Sequence, residues 1–181
     1  MSISLPPGTC TLVLTPEKLR ALWETFSGIS GLLDDYGKGR FDIFVSKFCD
    51  PDSIWLECTD FPGVVYATGI RAGLSAFVHF TFLDRKLRGR EQFLLDVLQW
   101  LVNMLQLEKV NCFVPDYCRT LLAFLGRLGF TTEGKIRNWS RHDGQLFSVV
   151  ALGMTKEEVN GRVFPTADER IAVDPPIAVG E

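Results

Sequence analysis

Two kinds of hydrophobic pattern divide the chain, and their order is its first informative feature. Residues 10–14 (CTLVL) form a short β-branched apolar run that reads as a strand. Thr15-Pro16 follows it, and a threonine ahead of a proline at the first helical position is a helix start signal. Leu19, Leu22, Trp23 and Phe26 then fall at helical spacing, and a stop is expected near Gly28 or Gly31. After the linker DDYGKGR, residues 41–48 read as a second helix.

From residue 54 the period shortens. Residues 54–59 (IWLECT), 64–70 (VVYATGI) and 74–83 (LSAFVHFTFL) are rich in aromatic and β-branched side chains, with Phe61-Pro62-Gly63 and Arg71-Ala72-Gly73 between them. Turns this short predict an antiparallel meander. Residues 90–107 carry the clearest helical stripe, Phe93, Leu94, Val97, Leu98, Leu101, Val102 and Leu105. A strand over 110–114, a helix over 119–128 ending at Gly129, and strands over 134–142 and 145–154 complete the pattern. Asp143-Gly144 between the last two is a hairpin signal.

Antiparallel runs joined to βα units predict an α/β fold with a mixed sheet and helices on its faces. The length of 181 residues suits one domain, here residues 1–158, followed by an extended Pro-containing arm over 159–181. No apolar stretch reaches the ~18 residues of a membrane helix, and no secretory signal opens the chain, so a cytoplasmic protein is expected. A net charge of −3 gives no general affinity for nucleic acid or anionic membrane. The five cysteines show no CxxC spacing and only two histidines accompany them, so free thiols are expected, with no metal site.

The segment from Leu128 to Glu158 carries a resemblance. Leu128-Gly129-Phe130, Glu133-Gly134, Arg137 and Asp143-Gly144 stand in the order and spacing of the C-terminal part of GNAT (GCN5-related N-acetyltransferase) enzymes, especially the branch that acetylates ribosomal-protein N-termini. With the element order, the likeness spans about residues 11–158. It implies a twisted, mostly antiparallel sheet of about seven strands flanked by about four helices, and acetyl-CoA lying between the fourth strand and the fifth.

The turn into the long helix should then bind pyrophosphate, because free amides at a helix N-terminus attract anions and glycine lets the backbone come close. Here that turn is Lys86-Leu87-Arg88-Gly89-Arg90-Glu91, and Leu83 ends the strand expected to run beside the pantetheine arm. Lys86, Arg88, Gly89 and Arg90 suit an anion; Glu91 puts a carboxylate where the family keeps a small residue.

Transfer of acetyl to an amine needs a base for the amine and an acid for the departing thiolate. His79, in mid-strand, is the candidate base, and Glu57 a second one. The family's tyrosine acid falls on Leu125 and its asparagine on Cys118; Tyr117 is adjacent. Trp139 and Tyr66 are candidates to line an acceptor groove. The resemblance thus implies an acyltransferase acting on a primary amine, such as a protein N-terminus or a small amine. The altered turn and acid position, with the C-terminal arm, leave a second class open: a GNAT-fold structural protein, such as a bacteriophage virion component, binding partner subunits through 159–181.

Overall fold

The computed structural model describes residues 5–11, 15–27, 40–84, 86–142 and 145–164. The chain runs β1 (Thr9–Thr11), α1 (Pro16–Ser27), α2 (Phe41–Phe48), β2 (Ile54–Cys58), β3 (Gly63–Arg71), β4 (Ser75–Phe82), α3 (Glu91–Met104), β5 (Lys109–Pro115), α4 (Arg119–Leu128), β6 (Thr131–His142), β7 (Gln145–Thr155) and α5 (Lys156–Gly161). The strands form one seven-stranded sheet in the order β1-β2-β3-β4-β5-β7-β6. All its pairs are antiparallel except β4 with β5, where α3 carries the chain back across the sheet.

Alternation along the strands produces two cores. Leu56 and Val65 point to the face covered by α3, α4 and α5, where they join Leu95, Leu101, Val110 and Phe124. Their neighbours Trp55 and Val64 point the other way and pack against Leu19, Leu22, Phe26, Phe44 and Phe48 of α1 and α2. The threonine before the proline acts as expected, since Thr15 Oγ1 accepts the Lys18 N–H at 3.2 Å. At the end of α4, Gly129 takes the left-handed conformation (φ 115°), and a Cβ there would meet Met154 at 2.9 Å. Both demands select glycine.

Several boundaries differ from expectation. The helix read over 90–107 spans Glu91–Met104, because Leu105 is its C-cap. Strand β6 begins at Thr131, three residues ahead of Gly134, with a register shift between Thr132 and Gly134 that breaks its alternation. The described residues hold five helices around the sheet, in keeping with the expected seven strands and about four helices. The fifth, α5, crosses the expected domain boundary after residue 158: Val159 is fully buried against the larger core and the Gln99 amide donates to its carbonyl. An arm of extended chain therefore does not begin at 159. Residues 12–14 of the first expected strand, the helix stop at Gly28 or Gly31, the Asp143-Gly144 turn and the arm beyond 164 lie outside the described residues.

Candidate active site

Pairing between β4 and β5 covers only Ser75↔Lys109, Ala76↔Val110 and Phe77↔Asn111. Both strands then continue, β4 to Phe82 along β3 and β5 to Pro115 along β7, without bonding each other. A slot therefore opens toward their C-terminal ends. On the side of the larger core, the rings of Phe80 and Phe124 meet edge to face across it, 6.0 Å between centroids. Two segments stand at the open end: the turn after β4 that leads into α3, and the corner 116–118 that leads from β5 into α4.

The turn after β4 has an anion-binding shape in part. Gly89 has φ +81° and nothing within 4 Å of where a Cβ would stand, so the outer surface of the turn is open. Lys86 and Arg88 are exposed, and no side chain caps the N-terminus of α3. Glu91 fills the place of an external anion. Its Oε2 accepts the Gly89 N–H at 2.9 Å, and its Oε1 faces Arg127 Nη2 at 3.6 Å. An amide and a guanidinium, the two groups that suit a phosphate, thus close on the chain's own carboxylate. Leu83 packs against the smaller core, and its N–H is committed to the Pro62 carbonyl at 2.9 Å.

Arg90 departs from its expected role. Its side chain turns inward, 8 % exposed, lying over Phe61 (3.9 Å) and Phe82 (4.4 Å). Its Nη2 donates to Asp84 Oδ2 at 2.6 Å, and this bond holds the Asp84 carboxyl below the usual carboxylate range. A guanidinium in that position positions the turn and cannot reach an anion outside it.

His79 sits on the splayed half of β4, facing away from the larger core. Its Nε2 lies 3.0 Å from Thr68 Oγ1, and its ring stacks on Tyr66 at 4.6 Å. Tyr66 stacks in turn on Trp55 (3.8 Å), and Trp55 on Phe48 (3.6 Å). Half-buried in this aromatic column, the imidazole has its pKa pushed down to about 4, because its desolvation disfavours the imidazolium. It is neutral at physiological pH but a weaker proton acceptor than a free histidine. Glu57, the second candidate base, is separated from β4 by β3 and is engaged by Lys18 of α1 at 2.5 Å. It serves to pin α1 to the sheet.

At the corner, Tyr117 is 43 % exposed and its ring meets that of Phe147 edge to face at 4.5 Å. Cys118 is the N-cap residue of α4, and burial, then the nearby Asp116, raise its thiol pKa. It holds its proton and is no ready nucleophile. Leu125 is buried in the larger core and offers no polar group. Among the described residues no group of three or more His, Cys, Asp or Glu side chains could hold a metal. Sequence reasoning missed Thr68 and Arg127. The first is placed by the Tyr66↔His79 register and the second by helix packing, so neither leaves a local signal.

No protein-family model matches the sequence, and no curated protein does. Solved structures do match. A chimera of spermidine N-acetyltransferase SpeG of Vibrio cholerae superposes with a TM-score of 0.70 at 15% identity, over 86% of this chain and 99% of that one. SpeG of Vibrio cholerae in complex with manganese ions gives 0.65 at 15% identity, over 87% and 98%. The same enzyme in complex with CoA and spermine gives 0.64 at 13% identity, over 84% and 98%. This chain has the GNAT fold. At these identities the likeness concerns architecture. Among the described residues no helix of this GNAT-fold chain is long and apolar enough to cross a membrane.

Proposed function

We propose that the protein is an N-acetyltransferase that moves acetyl from acetyl-CoA to a primary amine. One observation carries this reading: β4 and β5 part after Phe77↔Asn111 and open a slot whose mouth is flanked by the Gly89 turn. A neighbour of the same fold is a spermidine N-acetyltransferase crystallised with CoA, which supports the same class of donor.

The residues present fit such a donor with one adjustment. The slot would take the pantetheine arm, and the exposed Arg88, Lys86 and the uncapped start of α3 would face the diphosphate. Glu91 must swing away from the Gly89 amide, leaving Arg127 to face the phosphate. When bound, acetyl-CoA supplies an activated acyl thioester. The amine nitrogen forms a bond to the carbonyl carbon, the carbon–sulfur bond breaks, and the amine's proton is lost as the thiolate gains one.

His79 stands on the splayed part of β4 with its Nε2 at the Thr68 hydroxyl. With a pKa of about 4 it holds no proton for long. Its part is to orient the amine, or a water beside it, and pass the proton to solvent. Tyr117, in the corner between β5 and α4, is the proposed source of the thiolate's proton. Neither a protein N-terminus as acceptor nor an assembly role for the arm at 159–181 gains support from the neighbours.

Free thiol released from acetyl-CoA in the presence of an amine panel tests the reading. Release that depends on amine and falls about tenfold or more in Tyr117→Phe upholds it. Release independent of every amine and unchanged in the variant overturns it.

A further inference from the structure

We infer that the acceptor is a monoamine carrying an aromatic body, held on a partly open aromatic wall beside the slot. This rests on the acetyl-transfer reading and adds the class of acceptor. The wall consists of Phe77 on β4, Phe113 on β5 and Trp139 on β6, which belong to neither hydrophobic core. Phe77 and Phe113 lie 5.0 Å apart between ring centroids, and Trp139 meets Phe113 edge to face at 5.7 Å. Phe77 is the last β4 residue paired to β5, so the wall begins where the slot opens, two residues along the same strand face from His79.

The wall is built, since β6 deforms to make it. The register of β6 with β7 shifts between Ile136 and Ser140, and Asn138 takes a left-handed φ of 53° within the shift. The bulge re-aims Trp139 onto Phe113 while leaving it 58 % exposed. A tryptophan left largely in water carries a free-energy cost, which a bound aromatic group would offset.

Charge decides the class of amine. Polyamines need unpaired carboxylates spaced along their length. Among the described residues beside the wall, Asp116 is already held by Lys135 at 2.7 Å. The exposed Arg137 stands two residues before Trp139 on β6 and repels a second positive charge. One ammonium is acceptable on an indole face, and the apolar surroundings favour the neutral amine that attacks. The predicted acceptor is thus a phenethylamine-like compound, unlike the spermine bound to the neighbour of the same fold.

The test is calorimetric titration of the whole protein with phenethylamine and, separately, spermidine, both in excess CoA, which cannot transfer an acetyl group. We expect phenethylamine to bind about tenfold or more tighter than spermidine, and Trp139→Ala to remove most of that preference. Spermidine binding as tightly as phenethylamine, or a preference unchanged in Trp139→Ala, overturns the inference. A parallel titration with acetyl-CoA separates the two claims. Acetyl-CoA bound without phenethylamine overturns the aromatic acceptor alone; phenethylamine bound without acetyl-CoA upholds the wall and overturns acetyl transfer.

Discussion

Arg90 shows how one residue's role depends on what surrounds it. Read along the chain it is a third cation in a basic turn; in the fold it is a buried strut with Nη1 unpartnered and Nη2 on Asp84. Removing the guanidinium removes an imperfectly satisfied charge, whereas removing Asp84 leaves that charge buried with less compensation. Arg90→Met is therefore expected to stay within about 1 kcal/mol of wild type, and Asp84→Ala to lower the melting temperature further than Arg90→Met does. Paired thermal melts check the order. His79 gives a second prediction with a definite sign. Unfolded, it protonates near its ordinary value; folded, only near about 4. Between those values the unfolded chain binds more protons, so stability falls as pH drops through the window and is unaffected above it. His79→Gln should remove about 2 kcal/mol of the loss between about pH 7 and about pH 5, read from denaturant midpoints. His79 was recognisable in the sequence as a titratable group in an apolar strand. Its stacking on Tyr66 was not, because that contact comes from the β3–β4 register and not from spacing along the chain.

Among the elements, those with long or doubled signals were legible. The α3 stripe and the Gly129 stop of α4 were read nearly as they stand, because periodicity and a glycine cap agree there. Helix α5 was missed, since six residues show no period. Its cue was a capping box: Thr155 Oγ1 accepts the Glu158 N–H, and the Glu158 carboxylate accepts the Thr155 N–H. That small helix closes the larger core through Val159 and touches α3 again where Asn160 meets Asn103. Val159→Asp buries a charge in an apolar core and is expected to cost about 3 kcal/mol or more, whereas Thr155→Ala should cost about 1 kcal/mol. Urea midpoints separate the two. A Val159→Asp variant as stable as wild type would show that α5 does not belong to the core.

At the scale of the whole molecule, the order of periods along the sequence was enough to specify a mixed sheet with helices on its faces. The crossover through α3 forces the parallel β4–β5 pair and hairpin spacing sets β2–β3–β4 and β6–β7, whereas the insertion of β7 between β5 and β6 left no signal in the chain. The candidate site was legible only where local chemistry coincides with that frame: Gly89 at the turn, His79 on the splayed strand, Trp139 on the hairpin. Glu91 was visible as a discordant residue. What it does, closing on the Gly89 amide with Arg127 as its second partner, required contact between α3 and a helix 36 positions away in sequence (127 − 91). The proposed CoA site is formed by the slot and its turn, with Glu91 in the phosphate position. Calorimetric titration of acetyl-CoA into wild type and Glu91→Ala tests it most directly. Saturable binding to the wild type, tightened about tenfold in the variant, is the predicted result, worth about 1.4 kcal/mol. No heat from either protein at millimolar ligand would contradict the account.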